Sequence, residues 1–356
     1  MWNERRSGTF DPERLQEELQ RRLPKPWRIR VSKEPPLRRR GRAERPDALI
    51  SIEGPDRART TIVVEAKSRI EPLHVDAALR QARAYEVGVP LIYAPYLSPR
   101  ARERIVELGG NYADATGNLR LALERPALFI EARGADRDPN PVPRALGSLK
   151  GPAAGRVVRA VCDFRPPFGV RELGGRSETA PASVSRVLNL LRREALVERG
   201  ERGVVLAADW EKLIRRWTQD YGLVKSNTTS NWLAARGLPS LLERMPADVK
   251  RYAVTGSFAA SRLAPVTAPR LLVVFVEQAS VAARKLDLRP ADAGANVLLV
   301  EPFDPVVFDR PITCDGLVLA NPSQVTADLL TSPGRGPSEA EALFGWMKEH
   351  EDAWRS

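Results

Sequence analysis

The stretch Ser183–Leu206, SVSRVLNLLRREALVERGERGVVL, carries the strongest local fold signal in this chain. Val184, Val187, Leu188 and Leu191 recur at helical spacing and predict a helix over Ala182–Glu194 with one apolar face. The other side of that helix carries Arg186, Asn189 and Arg193, with Ser185 at its edge. Leu196 and Val197 open a strand, Glu198–Gly203 supplies a turn bearing Arg199 and Arg202, and Val204–Leu206 returns as a second strand.

Working outward, Arg156–Phe164 reads as an earlier helix with Val157, Val158, Ala160 and Val161 inside. Val170–Leu173 begins a short second helix, and Gly174 and Gly175 permit the turn expected after it. Three short helices followed by an Arg-bearing hairpin, residues 155–208, resemble the winged helix-turn-helix of bacterial regulators. That resemblance implies DNA as a partner. The recognition helix would enter the major groove with Arg186 and Asn189 reading base edges and Ser185 and Arg193 beside them. Arg199 and Arg202 would hold phosphates from the wing. A winged helix used for protein contacts is the alternative, and a cationic exposed face weighs against it.

The bulk charge agrees with a polyanionic partner, since the 356 residues carry a formal net charge of +11. Arg38–Arg42, RRRGR, reads as a solvated basic loop. Two cysteines, Cys162 and Cys314, lie far apart without CxxC spacing, which argues against a zinc ribbon or a disulfide framework. Met1–Arg6 has no apolar leader, and apolar runs such as Leu271–Val276 are too short to cross a membrane. The expectation is a cytoplasmic, nucleoid-associated protein with no membrane partner.

The Pro- and Gly-rich stretch Gly134–Gly155 reads as a linker. It divides an α/β multidomain chain into residues 1–135, a linker at 136–154, the winged helix at 155–208 and a C-terminal α/β domain at 209–356. In the first domain, Asp11 and Pro12 open a helix with Leu15, Leu19 and Leu23 on one face. Arg28–Val31, Asp47–Ile52, Thr61–Lys67, Leu91–Ala94, Leu119–Leu123 and Leu128–Ala132 are expected strands. Gly54-Pro55-Asp56 is a turn, and Val75–Val87 and Pro99–Leu108 are expected helices.

Within that pattern Asp47 opens one strand, and Glu65 and Lys67 project from one face at the end of the next. Two carboxylates can hold Mg²⁺, and a neighbouring ammonium can orient water or stabilise charge on a phosphate. Gln81 and Tyr85 follow one helical turn apart. Pro46-Asp47, Glu65-x-Lys67 and Gln81-xxx-Tyr85, in this order of elements, resemble the PD-(D/E)XK nuclease superfamily with its restriction-endonuclease-like fold. The resemblance implies Asp47 and Glu65 as metal ligands, Lys67 as base or charge stabiliser, Gln81 as an orienting residue, Glu18 as an extra acid, and Mg²⁺ as cofactor if the site cleaves DNA. The alternative is a strand-end Glu65–Lys67 ion pair in an inert domain.

Val254–Ala260, VTGSFAA, resembles the Gly-Ser turn of polymerase-β-type nucleotidyltransferases, but the next strand, Leu271–Val276, has no carboxylate for metals. The C-terminal domain is therefore expected to resemble a degenerate nucleotidyltransferase. Four segments, Tyr112–Asn118 (YADATGN), Thr255–Pro265, Ala295–Phe308 and Leu317–Phe344, resemble transcriptional regulators of the abortive-infection AbiEi antitoxin type. Asp114 reads there as a turn-capping residue. The resemblance implies transcription regulation, and it leaves a homodimer and a cognate toxin or other protein partner open. A Mg²⁺-dependent endonuclease targeted by the winged helix is the rival reading, and a partner-binding scaffold is a third.

Overall fold

The computed structural model describes residues 10–33, 37–39, 42–140 and 147–356, with the backbone alone at 37–39 and 42–44. The chain is mixed α/β and divides into two compact units, Met1–Pro143 with Arg193–Ala195, and Arg144–Arg192 with Leu196–Ser356.

The first unit opens with α1 (Pro12–Arg22). The Asp11 carboxylate accepts from the backbone N–H of Glu13 at 3.0 Å and Arg14 at 3.5 Å, satisfying donors left open by the first turn. The strands are β1 (Arg28–Lys33), β2 (Leu37–Arg39), β3 (Arg42–Glu44), β4 (Ala48–Glu53) and β5 (Arg59–Ala66). Then come α2 (Val75–Arg83), β6 (Val89–Ala94), α3 (Pro99–Glu107), β7 (Asn111–Asp114), β8 (Leu119–Leu123) and β9 (Leu128–Ala132).

Seven of these strands form one sheet in the order β1-β4-β5-β6-β7-β8-β9. β5, β6 and β7 run parallel, and the other neighbours are antiparallel. Strand alternation sorts the sheet into two cores. Ile50, Ile62 and Val64 pack with Leu15 and Leu19 of α1. On the opposite face Val63 packs with Ala82 of α2, and Ile92 packs with Leu79 and Ile105 of α2 and α3.

The expected elements of this unit are present with shifted ends. The helix expected to reach Val87 stops at Arg83, and Glu86 lies in the left-handed region at φ 56°. Strand β7 was not expected, because its four buried residues include Asn111 and Asp114 and show no apolar alternation. The basic run is not a loop: β2 and β3 pair as an antiparallel ribbon, with Arg39 opposite Arg42. Its tip, Arg40 and Gly41, lies outside the described residues.

The second unit begins with α4 (Pro152–Asp163), α5 (Val170–Arg176) and α6 (Pro181–Arg193), followed by the hairpin β10 (Val197–Arg199) and β11 (Val205–Ala208). Phe168 bridges to Val205, adding a third extended segment to the hairpin. Gly174 and Gly175 sit inside α5 rather than in the turn, which follows at 177–180. A Cβ on Gly174 would stand 3.0 Å from the Thr179 carbonyl, so the glycine serves the close approach of that turn.

Beyond the hairpin lie α7 (Trp210–Trp217), α8 (Leu223–Ser226), β12 (Thr228–Leu233), α9 (Leu238–Asp248), β13 (Tyr252–Thr255), α10 (Gly256–Leu263) and β14 (Leu272–Val276). They are followed by α11 (Ala279–Lys285), β15 (Arg289–Pro290), β16 (Val297–Glu301), β17 (Ile312–Cys314), β18 (Leu317–Leu319), α12 (Pro322–Leu330), α13 (Gly336–Glu349) and α14 (Glu351–Trp354). The strands form a second mixed sheet, β15-β12-β16-β14-β13-β18-β17.

The expected boundary at residue 208 is not a break between cores. One apolar cluster runs from Leu149 through Val158, Leu188 and Val205 to Val274, Phe344 and Trp354. Arg159 of α4 fixes the join with polar contacts inside that core. It donates to Asp163 Oδ2 at 2.9 and 3.2 Å, to Gln324 Oε1 at 3.1 Å and to the Val306 carbonyl at 3.2 Å. The expected linker is packed at both ends. Asp136 accepts from Arg102 at 2.7 Å in the first unit, and the Leu149 N–H donates to Asp220 at 2.7 Å in the second. Residues 141–146, between those ends, lie outside the described residues.

Candidate functional site

The antiparallel ladder of β4 and β5 ends with Ala48 opposite Val64. One residue further on each strand stand Asp47 and Glu65, so topology alone brings the two carboxylates to one end of the sheet. Asp47 Oδ2 accepts from the Ala66 N–H at 2.7 Å. Lys67 N–H donates to the Tyr93 carbonyl at 2.9 Å, holding the end of β5 against β6. The Lys67 ammonium then reaches Glu65 Oε1 at 2.5 Å and Gln81 Oε1 at 3.4 Å. Val63, Glu65 and Lys67 share the face covered by α2, which is why Gln81 arrives there.

Glu65 is 3 % exposed, whereas the Lys67 side chain is one-third exposed, so the cluster opens to solvent on the lysine side. Tyr85 is buried against Val63 and Ala82. Glu18 is not brought to this set. Helix α1 covers the opposite face of the sheet, and there Glu18 pairs with Arg22 at 3.0 Å. It lines a separate cleft of about 700 Å³ with Arg14, Arg21 and Thr116.

The donor set suits Mg²⁺ in kind, because that ion takes hard oxygen ligands and is often held by one or two carboxylates and waters. Among the described residues no group of three or more His, Cys, Asp or Glu side chains is gathered for a metal. Asp47 and Glu65 would be the carboxylates that hold such an ion, with Lys67 beside Glu65.

In α6, Val184, Val187, Leu188 and Leu191 are buried in the core. Arg186 and Asn189 are exposed, and Ser185 and Arg193 are half-buried. Arg186 folds along its own helix, donating to the Ala182 carbonyl at 3.3 Å and to Ser183 Oγ at 3.1 Å. Arg199, expected as a phosphate contact, is hydrogen-bonded to both α6 and the hairpin. Its Nη1 donates to Asn189 Oδ1 at 2.7 Å and its Nε to the Gly203 carbonyl at 3.0 Å. Burial, then the neighbouring charge of Arg192, lower its pKa from the usual arginine value. The wing tip is one 3-10 turn, Glu201–Gly203, with Arg202 exposed in the left-handed region at φ 55°.

Asp114 caps the turn after β7. Its carboxylate accepts from Thr116 N at 2.9 Å, Asn118 N at 3.0 Å and Leu97 N at 3.1 Å. In the second unit the Gly256-Ser257 turn leads from β13 into α10, with Gly256 at φ 63°. Ser257 Oγ donates to Glu339 Oε2 at 2.5 Å, an acid supplied by α13 rather than by the next strand.

Sequence reading missed a buried polar network centred on Asp328. Its carboxylate accepts from Tyr221 Oη at 2.6 Å, Thr255 Oγ1 at 2.6 Å and Gln324 Nε2 at 2.9 Å. Burial outweighs those three donors and raises the Asp328 carboxyl to about 6. No helix among the described residues is long and apolar enough to cross a membrane. Comparison with protein-family models, with curated proteins and with solved structures returns no match for this chain.

Proposed function

We propose that this chain is a DNA-binding protein acting through its winged helix, a transcriptional regulator of the AbiEi antitoxin type. The observation that carries the reading is the outward side of α6 and the wing. Arg186, Asn189 and Arg202 are exposed there, while the inward side of the helix is fully apolar. Arg186 and Asn189 supply side chains that read base edges, and Arg202 supplies a phosphate contact at the wing tip. The Arg199 contact to Asn189 sets the separation of wing and helix before DNA arrives. A mobility-shift assay on the DNA upstream of the coding region tests this. Arg186→Ala should weaken the specific shift, and an unchanged shift would remove α6 from recognition.

A second reading is favoured by one observation: Asp47, Glu65, Lys67 and Gln81 meet at one end of the β4–β5 ladder. In this reading the first unit is a PD-(D/E)XK-type phosphodiesterase. Asp47 and Glu65 would hold Mg²⁺, which would supply charge for the scissile phosphate and acidify a bound water. Lys67 would leave Glu65 to stabilise charge at the phosphate, and Gln81 would keep the ammonium on the site side of α2. Incubating plasmid with the protein and Mg²⁺ tests it. Cleavage lost in Asp47→Asn supports the reading, and cleavage unchanged by that substitution counts against it.

A further inference from the structure

An arginine side chain carries N–H donors and no acceptor, so the Asn189 atom that meets Arg199 Nη1 at 2.7 Å is the amide oxygen. This settles which half of the exposed Asn189 amide is free. Its oxygen is taken within the protein, and its Nδ2, which meets no acceptor among the described residues, is left for a ligand. The guanidinium is held on a second side as well. Its Nε donates to the Gly203 carbonyl at 3.0 Å, and a Cβ on Gly203 would stand 2.5 Å from its Nη2. Gly203 lies at φ 76°, in the left-handed region open to glycine.

Arg186 lies one helical turn before Asn189 and is exposed with it. It donates to the Ala182 carbonyl through Nε and to Ser183 Oγ through Nη2, which leaves Nη1 over. At these two positions α6 therefore offers donors and no acceptor. In the major groove guanine shows two acceptors, N7 and O6, whereas adenine shows N7 beside an N6 amino donor. An asparagine reads adenine by setting its oxygen against that amino group and its nitrogen against N7. Asn189 lacks the first half of this pair for as long as Arg199 holds its oxygen.

We infer that Asn189 reads guanine rather than adenine, and that Arg199 sets this choice by occupying the Asn189 amide oxygen. The inference rests on DNA binding through α6. Arg199 is then a positioning residue, one step removed from the base. Its hydrogen bond to Asn189 selects the base that the amide can serve, and Gly203 keeps the guanidinium in place to make it.

The test is selection of bound duplexes from a pool with a randomised core, using the full-length protein and its Asn189→Ala, Arg186→Ala and Arg199→Ala variants. The position whose base preference disappears in Asn189→Ala is the one that Asn189 reads. The wild-type chain is expected to enrich guanine there. Arg199→Ala frees the amide oxygen, and the guanine-to-adenine ratio at that position should fall by about tenfold, the size of one good base contact. Arg199→Met keeps the stem without the donors and should give the same change. Titrations of two duplexes that differ only at that base measure the ratio as affinities. A merely structural loss would weaken both duplexes alike and leave the ratio unchanged. Adenine enriched by the wild-type chain at the Asn189 position would overturn the inference. So would a ratio that neither Arg199 variant moves. A pool in which no base depends on Asn189 would overturn it too, and if Arg186→Ala also changes nothing, the reading of α6 as the DNA-binding helix falls with it.

Discussion

Asn189 on the outward side of α6 accepts a 2.7 Å hydrogen bond from Arg199 at the base of the wing. The bond ties α6 to the hairpin, the two parts that would meet DNA under the proposed function, and the Gly203 carbonyl holds the same guanidinium from the hairpin side. Asn189→Ala and Arg199→Ala should therefore couple. A charge-assisted hydrogen bond in a half-exposed setting contributes roughly 1 kcal/mol, so a double-mutant cycle by urea denaturation should return about that coupling. A cycle that sums to zero would make the contact incidental.

If the first unit cleaves DNA, its dependence on Lys67 and Gln81 should differ. Lys67 faces Glu65 directly, whereas Gln81 acts on the lysine. Lys67→Ala is expected to reduce Mg²⁺-dependent plasmid cleavage by about a hundredfold or more, and Gln81→Ala by roughly tenfold. Nicking assays with and without chelator give both numbers. Cleavage unchanged in Gln81→Ala would remove Gln81 from its positioning role.

Legibility of the sequence followed the range of the interactions. The helix α6 was readable because Val184, Val187, Leu188 and Leu191 announce their face within two turns. The convergence of Asp47 and Glu65 was readable because a single turn at Gly54–Ala58 pairs their strands. Arg199 reads from the sequence as a phosphate contact, and nothing local shows that Asn189, ten residues away, accepts from it. The network of Tyr221, Thr255 and Asp328 was invisible, because its members lie on separate elements joined only by folding. The polar join between α4 and α12 was invisible for the same reason: Arg159 reaches Gln324 across 165 positions.

Asp328 gives the second unit a pH signature. Its folded-state pKa is about 6 against an ordinary 3.8, so the folded protein binds more protons between those values. Its contribution to stability is fully present below the lower value and is lost as pH rises through the upper one. Relative to Asp328→Asn, the wild-type chain should lose about 1 to 2 kcal/mol of stability between pH 5 and pH 7.5. Denaturant titrations at the two pH values measure that difference. A gap that stays constant with pH would mean that Asp328 is ionised throughout.

Arg159 is 1 % exposed and Asp163 2 %, so removing one leaves the other charged and buried. Arg159→Ala should cost about 3–5 kcal/mol, and Arg159→Met with Asp163→Leu should restore much of it. Thermal unfolding followed at the tryptophans reads both. Trp217 is buried in the same core, so the transition reports on α4–α6 and the second sheet together.

The most direct measurement for the central claim is the salt dependence of duplex DNA affinity, for the wild-type chain and for Arg186→Ala/Arg202→Ala. Binding through the winged helix should weaken linearly on a log–log scale with salt. The double variant should bind at least tenfold more weakly, with a slope shallower by about one to two phosphate contacts. Affinity and slope unchanged by the two substitutions would contradict DNA binding through the winged helix.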